Sequence, residues 1–279
     1  MRDLDWLRIE QIIENALQED IGSGDITTES LFPTDKKTKA VITAKESGVV
    51  AGLSVAERVF KKLDQNIAWH EKKRDGDRVG PQDILAEIEG LQKAILKGER
   101  VALNFLQRLS GIATLTSKFV NSVKGLPVKI LDTRKTVPGL RILDKYAVRI
   151  GGGSNHRFGL FDGILIKDNH IKLAGSITEA VRSVRERGPH LFKIEVETKN
   201  LEEVKEALSA GADIIMLDNM PIETIKEALE IIKGRALTEV SGGINLENIR
   251  KIAETGVDFI SIGTITHSPP ALDIALYMV

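Results

Sequence analysis

The chain of 279 residues predicts an α/β fold: an α+β first half, then a (β/α) barrel of six clear strands with room for a seventh. Two observations predict the barrel. From about residue 127, short apolar runs recur, each ending in polar residues: VKILDTRK, GILIKDNH, FKIEVETK, DIIMLDN, LTEVSGG and FISIGT. Their polar ends fall near 132, 167, 197, 218, 241 and 263, so the last three gaps are 21, 23 and 22 residues, the length of one strand, one helix and two loops. The runs are also continuously apolar rather than alternating, as strands covered on both faces of a parallel sheet are.

The first half reads differently. Ile9, Ile12, Ile13, Ala16 and Leu17 recur at helical spacing and predict an amphipathic helix over 4–19. A loop, GSGDITTES, follows. Strand-like stretches come next, KAVITAKE, GVVAGL, NIAWHEKK and ILAEIEG, with a helix around Ser54 to Leu63 between the second and third. Helical patterns over 93–110 and 112–124 close this half. The segment DGDRVGPQDILAEIEG at 75–90 has the look of a biotinyl or lipoyl carrier hammerhead, but no lysine stands at a hairpin tip, and a turn-rich sheet edge is the expectation. In the barrel half, Asn200, Pro221 and Asn245 precede helices, and AGAD and TGVD lead from a helix into the next strand. At the far end, SPPALDIALYMV predicts a capped helix with Ser268 before Pro269.

Composition narrows the function classes. With 39 basic against 40 acidic residues, any positive cluster is local, and general affinity for nucleic acid or membrane is not expected. There is no cysteine, which excludes disulfides, thiol catalysis and Cys-based zinc sites and suits a reducing cytoplasm. The stretch MRDLDWLRIEQ does not read as a secretory signal, and no apolar run approaches the roughly 18 residues of a membrane span.

In a (β/α) barrel the C-terminal ends of the strands meet the loops of one face, where reacting groups gather. Asp132, Arg134, Lys135, Lys167, Asp168, Glu197, Asp218 and Ser241 all stand at such ends. The last two strands run into SGGINLENI and IGTIT, glycine-rich turns whose N–H groups can approach an anion, so a phosphate is expected there rather than plain turn chemistry. Beside them stand Arg134, Lys135, His156, Arg157 and Lys167. Any one reads as a solvated surface charge, but five at one mouth in a chain of near-zero net charge point to a multiply anionic substrate. His156, next to Arg157, is expected to donate a hydrogen bond to an anion rather than bind a metal. His170 has no partner at zinc-site spacing. Glu197 and Asp218 are left with three roles: pairing with the cations, holding magnesium, or accepting from sugar hydroxyls.

Together, EDIGSGDITTE, GERVALNFLQRLSGIAT, LDTRKTVPGLR, YAVRIGGGSNHR, GILIKDNHI, IEVET, IMLDNM, EVSGGI and ISIGTIT resemble the quinolinate phosphoribosyltransferase family, in the family's order from residue 19 to 266. The resemblance implies an N-terminal α/β sandwich domain, taken as 1–112, and an incomplete (β/α) barrel of six or seven parallel strands, taken as 113–279. It implies transfer of a phosphoribosyl group from phosphoribosyl pyrophosphate to quinolinate with loss of carbon dioxide, in NAD biosynthesis, with Mg²⁺ as cofactor. It also implies a cytoplasmic homodimer with shared sites, or a hexamer assembled from such dimers. Carried over by motif, Arg100 would reach the neighbouring subunit's site. Arg134, Lys135, His156, Arg157 and Lys167 would line the region of the pyridine dicarboxylate and pyrophosphate. Glu197 and Asp218 would hold ribose hydroxyls and the magnesium-bound pyrophosphate, while Ser241, Gly242, Gly243 and Gly263 would cradle the ribose phosphate. Lys135, Lys167, Glu197 and Asp218 form the implied catalytic set. The rival readings are a related transferase for another anionic aromatic acid and a silent sensor of such ligands.

Overall fold

A computed structural model of the chain describes residues 5–279. In chain order the first elements are α1 (Trp6–Ile21), α2 (Ile26–Leu31), β1 (Lys37–Ala44), β2 (Gly48–Val49), α3 (Leu53–Leu63), β3 (Ala68–Glu71), β4 (Arg78–Val79), β5 (Ile84–Leu91) and α4 (Gln92–Ser122). There follow β6 (Lys129–Leu131), α5 (Arg141–Ile150), β7 (Ile164–Ile166), α6 (Asp168–Ala174), α7 (Ile177–Arg187), β8 (Ile194–Thr198), α8 (Leu201–Ser209) and β9 (Ile214–Asp218). The chain continues through α9 (Ile222–Ile232), β10 (Leu237–Ser241), α10 (Ile249–Ala253), β11 (Phe259–Ser261), α11 (Thr264–His267) and β12 (Ile274–Met278). Among the described residues two compact units emerge, one made of those up to 117 with 136–152 and 264–279, the other of 118–135 and 153–263.

In the first unit, four antiparallel strands form a sheet in the order β12-β1-β5-β3, with β2 and β4 paired separately. Along β1 the inward residues Ala40, Ile42 and Ala44 alternate with more exposed ones, the period-two signature of a sheet with one covered face. Helix α1 buries Ile9, Ile13 and Leu17, as the spacing predicts, although it runs two residues further than expected at its C-terminal end. Residue 4, the start of the expected range, lies outside the described residues.

Four expectations need correction. GSGDITTES is not all loop: Asp25 accepts from Thr28 N–H at 2.9 Å and caps the short α2. ILAEIEG is not a sheet edge, since β5 lies between β1 and β3. The two helices read on either side of Gly111 are one, because Gly111 stays helical and its missing side chain makes room for the carbonyl of Pro270. Finally, the last segment is a strand rather than a capped helix. Ile274 and Leu276 point inward, and β12 pairs with β1 from Ala40↔Met278 to Ala44↔Ile274. The five residues IALYM fit either period; the open edge of β1 decides, because its N–H and C=O groups gain partners only from a strand.

The second unit is a six-stranded parallel sheet in the order β6-β11-β10-β9-β8-β7. A single parallel bridge, Leu131↔Ser154, extends it past β6, where the sequence leaves room for a seventh strand. The inner strands are almost wholly buried, as the continuous apolar runs require. Two aspartates tie strand starts together. Asp213 Oδ2 accepts from Ile194 N–H at 2.7 Å, and Asp258 Oδ2 accepts from Thr238 N–H at 2.8 Å. These are the aspartates of AGAD and TGVD, so the recurrent turn has a structural task at the end opposite the mouth. Ser176 and Asn200 cap α7 and α8 through Glu179 N–H and Glu203 N–H. Asn245 closes the turn before α10 by accepting from Glu247 and Asn248 N–H. No helix among the described residues is long and apolar enough to cross a membrane.

Candidate functional site

Each parallel strand of the second unit ends in the residues that the sequence marks. Asp132 follows β6, Lys167 follows β7, Glu197 is the penultimate residue of β8, Asp218 closes β9, Ser241 closes β10, and Gly263 follows β11 by two residues. The parallel ladder brings these ends to one rim. Lys167 Nζ lies 3.6 Å from Glu197 Oε2. Burial holds the Glu197 carboxyl above the usual range; Lys167 opposes that shift, and the nearby charges of Asp218 and Asp168 reinforce it. Asp168 itself is exposed and paired with Lys199 at 2.8 Å, which lowers its pKa. His170 Nδ1 accepts from Lys167 N–H at 3.0 Å at the start of α6.

Asp132 is placed differently from the expectation. It is fully buried, and it accepts from Asn155 Nδ2 at 2.6 Å and from His156 N–H at 2.9 Å. It pins the loop after Gly153 rather than facing a ligand, and so sets where His156 and Arg157 project. Arg157 donates from Nη1 to Gly163 O at 3.0 Å. Burial, then the charge of Arg134, lowers its pKa, while Glu195 and Asp162 counter this. Two guanidinium groups near one another against a carboxylate background suit a ligand with more than one negative group. Lys135 is exposed, with its N–H bonded to Thr133 Oγ1 at 3.0 Å.

His156 is held from both sides of its ring. Its Nδ1 accepts from Arg157 N–H at 2.7 Å, and its Nε2 lies 3.0 Å from Glu195 Oε2 and 3.7 Å from Glu239 Oε2. Both ring nitrogens have partners within the chain, and the anionic group nearest Nε2 is the Glu195 carboxylate. Glu195 and Glu239 were not legible as site residues, because they sit inside runs that read as buried strand. The available signal was the spacing: Glu195 lies two residues before Glu197, and Glu239 two before Ser241, each on the same strand face as its successor.

The loops after β10 and β11 form the other side. Gly242 and Gly243 both take positive φ, 89° and 63°. At Gly242 a side chain would collide with the amide of Asn219, which is itself left-handed at φ 54° and donates from Nδ2 to Asp218 Oδ2 at 2.9 Å. Glycine is therefore required there on both counts. The consecutive left-handed turn is the type of backbone that presents N–H groups to an anion. Ser241, Gly242 and Gly263 are half-buried and Gly243 is exposed. Arg100, by contrast, lies exposed on α4 in the first unit.

A parallel α/β sheet with cations, acids and a glycine-rich turn at the carboxyl ends of its strands is the pattern of an incomplete (β/α) barrel with its polar groups gathered at one rim. Sequence models of the N-terminal and C-terminal domains of quinolinate phosphoribosyl transferase match residues 25–110 and 112–277. The chain belongs to that family. It is 46% identical over 273 residues to a probable nicotinate-nucleotide pyrophosphorylase [carboxylating] of Bacillus subtilis, covering 98% of this chain and 94% of the relative. It is likewise 46% identical over 287 residues to the chloroplastic nicotinate-nucleotide pyrophosphorylase [carboxylating] of Arabidopsis thaliana, covering 96% and 82%. Among solved structures, NadC from Streptococcus pyogenes superposes with a TM-score of 0.95 at 42% identity over the full length of both chains. The nicotinate-nucleotide pyrophosphorylase of Ehrlichia chaffeensis gives 0.94 at 46%, again over both full lengths.

Proposed function

We infer that this enzyme transfers the phosphoribosyl group of phosphoribosyl pyrophosphate to quinolinate, releasing pyrophosphate and carbon dioxide and leaving nicotinate mononucleotide, a step of NAD biosynthesis. The observation that carries the reading is full-length: both domains of the family match, and the strand-end residues of the second unit gather cations, acids and a glycine-rich turn at one rim.

The chemistry suits the residue types. Quinolinate carries two carboxylates and its co-substrate three phosphate groups, so fixed cations are needed. Arg134, Arg157, Lys135 and Lys167 receive the carboxylates and the departing pyrophosphate. The pyridine nitrogen already has a lone pair and attacks the ribose carbon without a general base. The C–O bond to pyrophosphate breaks as the C–N bond forms, and positive charge on the sugar is matched by Glu197 and Asp218, which accept from ribose hydroxyls. Once alkylated, the ring nitrogen is cationic; loss of the adjacent carboxylate as carbon dioxide leaves the C–C electron pair on the ring carbon as an ylide stabilised by that charge, and a proton from solvent completes the C–H bond. Ser241, Gly242, Gly243 and Gly263 hold the ribose phosphate through hydroxyl and backbone N–H donors.

A magnesium ion would accompany phosphoribosyl pyrophosphate as its counter-ion. Glu197 and Asp218 are hard oxygen donors suited to its hydration shell, and the metal would supply charge to the leaving group. Arg100, solvated on α4, acts from one protomer on the site of its partner in a homodimer, which can assemble further into a hexamer. We place the enzyme in the cytoplasm.

The test follows nicotinate mononucleotide and carbon dioxide together from quinolinate, phosphoribosyl pyrophosphate and Mg²⁺. Equal yields, with no product from nicotinate in place of quinolinate, support the reading, because a missing carboxylate leaves site cations unpaired. Quinolinate binding without either product would mark a relative with another reaction, or a sensor.

A further inference from the structure

Beneath the rim, three acid–base groups meet out of solvent. Glu195 and Glu239 are 4% and 2% exposed, yet Oε1 of each makes no hydrogen bond. Buried Ser261 Oγ, near Glu239, makes no well-formed one either. Between the two carboxylates stands His156, with Nε2 at 3.0 Å from Glu195 Oε2 and 3.7 Å from Glu239 Oε2. An N–H can be donated only to a lone pair, so the 2.7 Å bond from Arg157 N–H means that Nδ1 carries no proton. The proton of the neutral ring is therefore on Nε2, aimed at Glu195. Two buried carboxylates this close do not both ionise without cost, and a single proton kept on one of them relieves the repulsion.

We propose that Glu195 and Glu239 are positioning residues of the mouth: they fix the His156 ring in its Nε2–H form, and Glu239, buried against the Glu195 carboxylate, stays protonated and so leaves the rim cations in excess. Geometry gives the link to substrate. Glu195 is two residues before Glu197 on β8, and Glu239 two before Ser241 on β10, so the pair forms the layer directly under the residues that face the ligand. Arg157 follows His156 in sequence, and the charges of Arg134 and Glu195 both act on it. A ring locked from both sides fixes the backbone from which Arg157 projects. A second ionised carboxylate in that layer would cancel cationic charge needed by an anionic acid. The groups facing Glu239 are Glu195 from β8, His156 from the loop, and Ser261 from β11. Burial, then the Glu195 charge, pushes Glu239 up to about 8, so its proton stays on at neutral pH and leaves as pH rises past that value.

The same three side chains bring ligand atoms within 4.8 Å of one another, a spacing that a divalent cation could also use. The protonated Nε2 speaks for the proton-holding arrangement instead.

Two measurements test this, and the substrate part rests on the function proposed above. In ¹⁵N-imidazole NMR of the ligand-free protein, assigned against His156→Gln, His156 is expected as the neutral Nε2–H tautomer, and added Zn²⁺ or Mn²⁺ should leave it so. An imidazolium, an Nδ1–H form, or displacement of the proton by the metal overturns the proposal whether or not quinolinate is the substrate. By calorimetry, quinolinate should bind the wild-type protein about tenfold more weakly near pH 9 than near pH 7, and Glu239→Gln, which cannot ionise, should flatten that difference. Equal alkaline weakening in Glu239→Gln overturns the charge role. If quinolinate does not bind at all, the function fails and the NMR result still judges the network.

Discussion

Arg108 grips Asp144 through two parallel hydrogen bonds, Nε to Oδ1 at 2.9 Å and Nη2 to Oδ2 at 2.8 Å, and so ties α4 to α5 within the first unit. Asp144 is fully buried; burial raises its pKa, and Arg108 opposes that shift. Removing the guanidinium leaves a buried charge without its partner. Arg108→Met should cost about 3–5 kcal/mol near pH 7, read from urea unfolding. The unpaired Asp144 would have a carboxyl raised above its unfolded value, so folding takes up a proton. The loss should therefore shrink as pH falls toward that unfolded value, and a loss that did not shrink would place the effect elsewhere.

Lys135 is exposed and contributes little packing, so Lys135→Ala should separate catalysis from stability. Turnover should fall about 10²–10³-fold, as when one fixed donor to a developing anion is lost, with the melting temperature nearly unchanged. Turnover close to wild type at saturating substrates would remove Lys135 from the reaction.

In the function proposed above, Arg100 and Lys167 serve one site from different protomers. Each single variant, Arg100→Ala or Lys167→Ala, should be nearly inactive. Mixed after dissociation and reassembly, the two should regain up to about a quarter of wild-type activity, because random pairing makes half of the dimers hybrid and each hybrid holds one intact site. No recovery, with hybrid dimers demonstrated by mass, would show that sites are not shared.

Gly242 has no room for a side chain against Asn219, and Asn219 in turn holds Asp218. Gly242→Ala should therefore raise KM for phosphoribosyl pyrophosphate more than for quinolinate, while the protein still folds. Equal effects on both substrates would point to a general loosening of the loop.

The barrel was legible because each strand carries two messages at once: an apolar run for burial and a polar end for the rim. Lys167, Glu197, Asp218 and Ser241 could be placed from that pattern before any coordinates. The caps at Ser176 and Asn200 follow the same local chemistry. What escaped was information held by partners distant in sequence. Gly111 reads as a helix break until Pro270 is seen against it. Asp132 reads as a rim group until Asn155 and the His156 N–H are seen to bind it. Glu195 and Glu239 hide because a charged residue inside an apolar run has meaning only once the facing strand and loop are known. The terminal strand shows this most plainly, since nothing within IALYM states that β1 has an edge to offer.

That strand also bears on how the molecule is made. β12 pairs with β1, yet the whole parallel sheet lies between them in sequence. A ribosome emits β1 early and β12 only after every barrel strand has emerged. The antiparallel sheet must therefore wait, with the edge of β1 open, while the barrel residues are translated. Its completion is a late event in biosynthesis, and a nascent chain stalled short of Ile274 would carry an unsealed edge ready to pair with another chain.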